Sequence, residues 1–114
     1  MQNKYSFSFT PLAFQDLDDA LAYISEQLLN PQAATELLDE VEHTLASVCE
    51  FPYAFSDCSV YLISDQNIRH AIVKNYVLVF EINEDEGKII VLRFRYARTD
   101  MAHTTMKNGE DSEN

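Results

Sequence analysis

Two helix-start signatures, Thr10-Pro11 and Asn30-Pro31, decide most of what this chain can fold into. In each, a side chain able to accept from an orphan helix N–H precedes a proline. Proline's missing N–H and fixed φ suit the first helical position. Phe14, Leu17, Leu21, Ile24 and Leu28 follow the first signature at spacings of three and four, and Ala34, Leu38, Val41, Leu45 and Val48 follow the second. Each set forms one apolar stripe on an amphipathic helix. The break between the stripes is so short that the helices must return on each other as an antiparallel hairpin. A hairpin of this kind has an apolar seam that the rest of the chain must cover.

The cover reads as β-structure. Tyr5, Phe7 and Phe9 alternate with Ser6 and Ser8, the period of a half-buried strand. Phe51-Pro52 ends the second helix, and an irregular aromatic stretch containing Tyr53, Phe55 and Tyr61 runs on to Asn67. Loops of that length are usually functional or mobile. Strands are expected over 68–74 and 76–82, a turn over 83–87, and a last strand over 88–96. In the last strand Ile90, Leu92, Phe94 and Tyr96 would face one way, and Ile89, Val91, Arg93 and Arg95 the other. The expected class is α+β, in the order βααβββ, an antiparallel sheet with the helical hairpin packed on one face. One domain is expected over 1–103, followed by a disordered acidic tail over 104–114.

The 114 residues carry a formal charge of −11, unevenly spread. From Pro11 to Asp65 there is no Lys or Arg, whereas residues 68–80 and 88–98 hold Arg69, Lys74, Lys88, Arg93, Arg95 and Arg98 with no acid among them. Such asymmetry bears on partners rather than on fold. The strand-rich end is suited to something anionic, while the helical end repels nucleic acid. No apolar run approaches the roughly 20 residues of a membrane span, and the first residues lack a signal-peptide apolar region. A cytoplasmic protein with no membrane contact is expected. Cys49 and Cys58 read as reduced thiols.

If the helices cover the Ile90/Leu92/Phe94 face, Arg93 and Arg95 emerge on the opposite face. Tyr96 and Arg98 lie beside them, and Arg69 sits on a neighbouring strand. Guanidinium forks hold phosphate bidentately, and aromatic rings stack on bases or on Arg. The set suits a phosphodiester or an acidic protein surface. His43, His70 and His103 have no metal-ligand spacing, and no glycine loop or activated nucleophile is present. Neither metal nor cofactor is expected, so any hydrolytic chemistry would be built from Arg, Tyr and His. Asp16, Asp18 and Asp19, favoured by the helix dipole, and Glu36, Asp39 and Glu40 read as solvated helix faces.

From about Tyr5 to Asp100 the chain resembles the RelE/ParE toxins of type II toxin–antitoxin modules, a family that includes plasmid stabilisation proteins. The resemblance is carried by FSFTPLAFQDLDDALAYI, NPQAA, the FP after the second helix, IRHAIVKNYVLVFEI and VLRFRYARTD. It implies a βααβββ domain, a cognate antitoxin as partner, and one of two bacterial targets. RelE-like members cut ribosome-bound mRNA without metal, using arginines on the phosphate; ParE-like members poison DNA gyrase. Carried over by position, Arg69 matches the arginine of the strand after the long loop, and Arg95-Tyr96 falls where some ribonuclease members have His-Tyr. Arg98 and Asp100 match the closing motif. The candidate catalytic or target-binding residues are therefore Arg69, Arg95, Tyr96 and Arg98. RelE-type cutters commonly place lysines before the first of these arginines, and here none lies between Pro11 and Ile68. That departure, the long hairpin and the RTD ending look closer to ParE. The leading expectation is growth arrest by binding an essential protein such as gyrase. The alternatives are a metal-free, ribosome-dependent mRNA endoribonuclease and an inactive toxin-fold binding protein.

Overall fold

The computed structural model describes residues 5–57 and 67–97. Cys58, Tyr61, Arg98, Asp100, His103 and the expected tail over 104–114 lie outside the described residues. Strand β1 (Ser6–Phe9) leads directly into helix α1 (Pro11–Ala22), whose end passes into a π-turn at Tyr23–Gln27. Helix α2 (Pro31–Glu50) returns and ends at a short 3-10 turn, Pro52–Ala54. Strands β2 (Ile68–Val73), β3 (Tyr76–Asn83) and β4 (Lys88–Tyr96) complete the order βααβββ. Both expected caps form: Thr10 Oγ1 accepts from the Ala13 N–H at 3.0 Å, and Asn30 Oδ1 from the Ala33 N–H at 3.1 Å.

The sheet order is β1-β4-β3-β2. Pairs β2–β3 and β3–β4 are antiparallel, but β1 lies parallel to β4, from Ser6 opposite Lys88 to Phe9 opposite Val91. The sheet is therefore mixed, not wholly antiparallel. The excursion through two helices and two strands supplies the long return that a parallel pair requires. Beyond Phe9 the edge of β4 is taken over by α1, because the Thr10 N–H donates to the Val91 carbonyl at 3.0 Å and its hydroxyl to the Leu92 carbonyl at 3.3 Å.

Both helical stripes are real but shifted. On α1 the buried residues are Ala13, Leu17 and Ala20, with Leu21 and Ile24 packed at the margin, while Phe14 is 63% exposed. Alanine carries no bulk beyond Cβ, which suits a close approach of α1 to β4. On α2, Leu37 is 1% exposed and Leu38 36%. Either leucine fits the helical period, and the tertiary contact chooses between them.

A second shift occurs in β4. Phe80 pairs with Val91 but Val79 pairs with Arg93, which leaves Leu92 as an extra, bulged residue. The alternation therefore slips by one place. Ile89 and Val91 are fully buried before the bulge and Phe94 after it, whereas Ile90 and Leu92 remain partly exposed. The expected Ile90/Leu92/Phe94 core face is corrected to Ile89/Val91/Phe94. Phe80, Leu78 and Ile82 of β3 meet Leu37, Val41, Leu45 and Val48 of α2 in the same core.

Candidate functional site

A broad concavity lies where the tip of the helical hairpin stands over the ends of β3 and β4. It encloses about 870 Å³ and is walled on one side by α1, the π-turn and α2, and on the other by the Lys74–Asn75 turn and the end of β4. Its floor is aromatic. The Tyr76 ring stacks on Phe94 with centroids 4.8 Å apart and planes 6° from parallel, and meets Tyr96 edge-on at 5.4 Å. Those contacts follow from register, since Tyr76 is opposite Tyr96 and Leu78 opposite Phe94. Tyr23 enters from the π-turn. Burial, and then the neighbouring Tyr96 and Tyr23, push the Tyr76 hydroxyl above its usual pKa. It therefore stays protonated at neutral pH and can act there as a hydrogen-bond donor.

The two walls differ in charge. Asp19 and Glu36 line the hairpin side, and Lys74 and Arg95 the strand side. Arg93 belongs to the strand wall but is engaged by the hairpin: its Nε donates to Asp16 Oδ2 at 2.7 Å and Nη2 to Asp16 Oδ1 at 3.1 Å. The Phe94 N–H donates to the same Oδ2 at 3.0 Å. Burial acts to raise the Asp16 pKa, but the Arg93 and Phe94 hydrogen bonds outweigh it and hold the carboxyl below its usual value. The sequence pattern alone makes Asp16 a solvated residue favoured by the helix dipole. It lies beyond the first turn of α1 and instead grips β4. The dipole reading is thereby corrected.

Arg69 is elsewhere. It pairs with Phe80 near the start of β2, whereas Tyr76 and Tyr96 pair at the far end of β3. Its Nη1 donates to the Phe55 carbonyl at 2.7 Å, and its guanidinium lies 5.1 Å from the centre of the Tyr53 ring. The Tyr53 hydroxyl donates to Glu84 Oε2 at 2.5 Å, and the Tyr5 hydroxyl donates to the same oxygen at 2.7 Å. This network ties together the 3-10 turn, the β3–β4 turn and the entry to β1. A second concavity of about 570 Å³ lies beside it, lined by Glu50, Phe51 and Pro52 as well as these tyrosines.

Of the four residues singled out by sequence, the structure brings Arg95 and Tyr96 together at the main cleft and places Arg69 in a separate cluster. Arg98 lies outside the described residues. Arg69 is set apart from Arg95 and Tyr96 along the strands, since it pairs with Phe80 whereas Tyr96 pairs with Tyr76. Sequence reasoning missed Tyr23, Lys74, Tyr76 and Asp16. A tight hairpin at Lys74–Asn75 would have signalled Tyr76, because it sets that ring across from Tyr96. Nothing in the sequence pointed to Asp16 as a partner of Arg93.

Among the described residues, no group of three His, Cys, Asp or Glu is arranged to hold a metal ion, and no helix is long and apolar enough to cross a membrane.

The family described as "ParE toxin of type II toxin-antitoxin system, parDE" matches residues 7–101. No match is found among the curated proteins. Among solved structures, the chain is similar to one from a chromosomal ParDE toxin–antitoxin system of P. aeruginosa. The TM-score is 0.65 at 14% identity, over 85% of this chain and 100% of that one. It is also similar to one from the toxin–antitoxin complex RelBE2 of Mycobacterium tuberculosis. There the TM-score is 0.55 at 19% identity, over 82% and 98% of the two chains.

Proposed function

The chain belongs to the ParE toxin family of type II toxin–antitoxin systems, and from that premise we propose that it arrests growth by binding an essential protein, with DNA gyrase the first candidate. The observation that carries this reading is the disposition of cations. Arg93 is held by Asp16 and Arg69 by Phe55 and Tyr53, so among the described residues Lys74 and Arg95 are the strand-wall cations left to the cleft, opposite Asp19 and Glu36. A site that cuts a phosphodiester concentrates positive charge where the transition state gathers negative charge. An aromatic floor between walls of opposite sign fits a segment of protein better. The protein acts in the cytoplasm, and a cognate antitoxin neutralises it by covering the hairpin, the sheet, or both.

Induced expression without the neighbouring small reading frame should stop bacterial growth, and co-expression with that frame should restore it. The DNA-damage response should rise, and purified protein should inhibit gyrase supercoiling. Normal growth at high soluble expression sinks the toxin reading for this chain and leaves an inactive binding protein.

One observation favours metal-free mRNA cleavage as a second reading: Lys74, Arg95 and the protonated Tyr76 line the same cleft. Cations and a phenolic donor are the parts such a reaction uses. Ribosome-dependent cuts in translated messages, insensitive to chelator, would select this reading over gyrase.

A further inference from the structure

We infer that Asp16 is the positioning residue of the cleft, the group that fixes where β4 presents Arg95 and Tyr96. This rests on the reading that the cleft is the functional surface. Strand β1 covers the edge of β4 only as far as Val91, and Thr10 takes the Val91 and Leu92 carbonyls. The following edge-facing group is the Phe94 N–H, on the strand just past the bulged Leu92. Without a partner there, the bulge could resolve in either register, and a slip of one residue would exchange the two faces of the strand's end. Asp16 meets that point with one carboxylate. It takes the Phe94 N–H and the Arg93 Nε on Oδ2 and the Arg93 Nη2 on Oδ1, with its own side chain only 12% exposed. A bidentate guanidinium–carboxylate pair is directional, so it sets both the height of α1 over β4 and the orientation of Arg93 in the cleft wall. Phe94 is then held under Tyr76, Tyr96 follows edge-on to the same ring, and Arg95 takes the next place on the rim.

The pair is testable in the full chain by the set wild type, Asp16→Asn, Arg93→Gln and the double variant. Asparagine keeps an acceptor for the Phe94 N–H but removes the charge-assisted fork. Three readouts apply: amide and ring resonances by NMR, exchange of the Phe94 amide, and growth arrest on induction. Each single variant should shift the Arg95 amide and the Tyr96 ring while core resonances of Phe80 and Ile89 stay in place, which a general loosening of the fold would not allow. Phe94 amide exchange should quicken about tenfold. The double variant should be no worse than either single one, because both remove one interaction. Growth arrest should weaken to the same degree in all three. Unmoved Arg95 and Tyr96 signals in Asp16→Asn, or effects that add in the double variant, overturn the proposal. If wild type fails to arrest growth yet the resonances move as described, the toxin reading fails and the positioning role stands.

Discussion

Asp16 and Tyr5 show how single groups tie stability to pH at opposite ends of the scale. The folded Asp16 carboxyl sits below its ordinary value of 3.8. Its stabilising contribution is therefore present above that value and is lost as pH falls through the lower folded value. Asp16→Ala leaves the part-buried Phe94 N–H without its acceptor, at a cost of about 1–3 kcal/mol. Melting curves should show that gap at neutral pH, and the gap between wild type and Asp16→Asn should narrow on acidification. Tyr5 behaves the other way. Its hydrogen bond to Glu84, then burial and the negative charge of Glu84, push its hydroxyl up from 10.0 to about 12. The contribution is held below pH 10 and lost as pH rises through 12, and Tyr5→Phe should flatten the alkaline limb. Arg69 belongs to the same network. Arg69→Ala removes the donor to the Phe55 carbonyl and the cation over Tyr53, a loss of about 1–3 kcal/mol. It should lower the melting temperature more than it alters growth arrest at matched soluble level.

At the scale of elements, period and punctuation were legible and phase was not. The caps at Thr10 and Asn30, the succession of strands along the chain and the turn at Gly87 all follow from local chemistry that the residues state outright. The choice of Leu37 over Leu38 does not, because the two leucines sit side by side in a pattern either could satisfy. Leu37→Ala should therefore cost about 2–5 kcal/mol, the range for a buried leucine, whereas Leu38→Ala should fall within about 0.5 kcal/mol of wild type. The bulge at Leu92 was equally hidden, since β4 reads as unbroken alternation and the extra residue falls where Thr10 takes over from β1 at the strand edge. Arg95 and Tyr96 do line the cleft, but Arg93 beside them is engaged by Asp16 of α1, which the sequence pattern does not reveal. The π-turn gives a further test. Leu29, which follows it, has φ 52 and is 81% exposed, a left-handed conformation that costs a branched residue about 1–2 kcal/mol. Leu29→Gly should be neutral to mildly stabilising in a thermal melt.

Across the whole molecule, a charge of −11 and a cleft with walls of opposite sign favour different partners at different distances. Beyond the Debye length, about 8 Å at physiological salt, the anionic body dominates and repels nucleic acid. Within the cleft, Arg95 and Lys74 act locally against whatever enters. Arg95 and Tyr96 can therefore divide the two mechanisms. For capture of a protein, Arg95→Ala should weaken target binding, and the loss should shrink as salt rises, because a rim cation contributes mainly through screened attraction. Tyr96→Phe should be nearly silent there, since capture of a protein asks no proton transfer of the phenol. For cleavage of mRNA, an arginine on the transition-state phosphate is worth on the order of a hundred- to thousandfold in rate, so Arg95→Ala should abolish cutting at any salt, and Tyr96→Phe should slow it if the phenol moves a proton. Growth-arrest titrations of both variants, paired with gyrase inhibition over a salt series, read the difference directly. A graded, salt-sensitive loss for Arg95→Ala with a silent Tyr96→Phe supports the protein target. Full activity in the double change Arg95→Ala/Lys74→Ala would remove the strand wall of the cleft from the site and leave the acidic hairpin as the surface that meets the target.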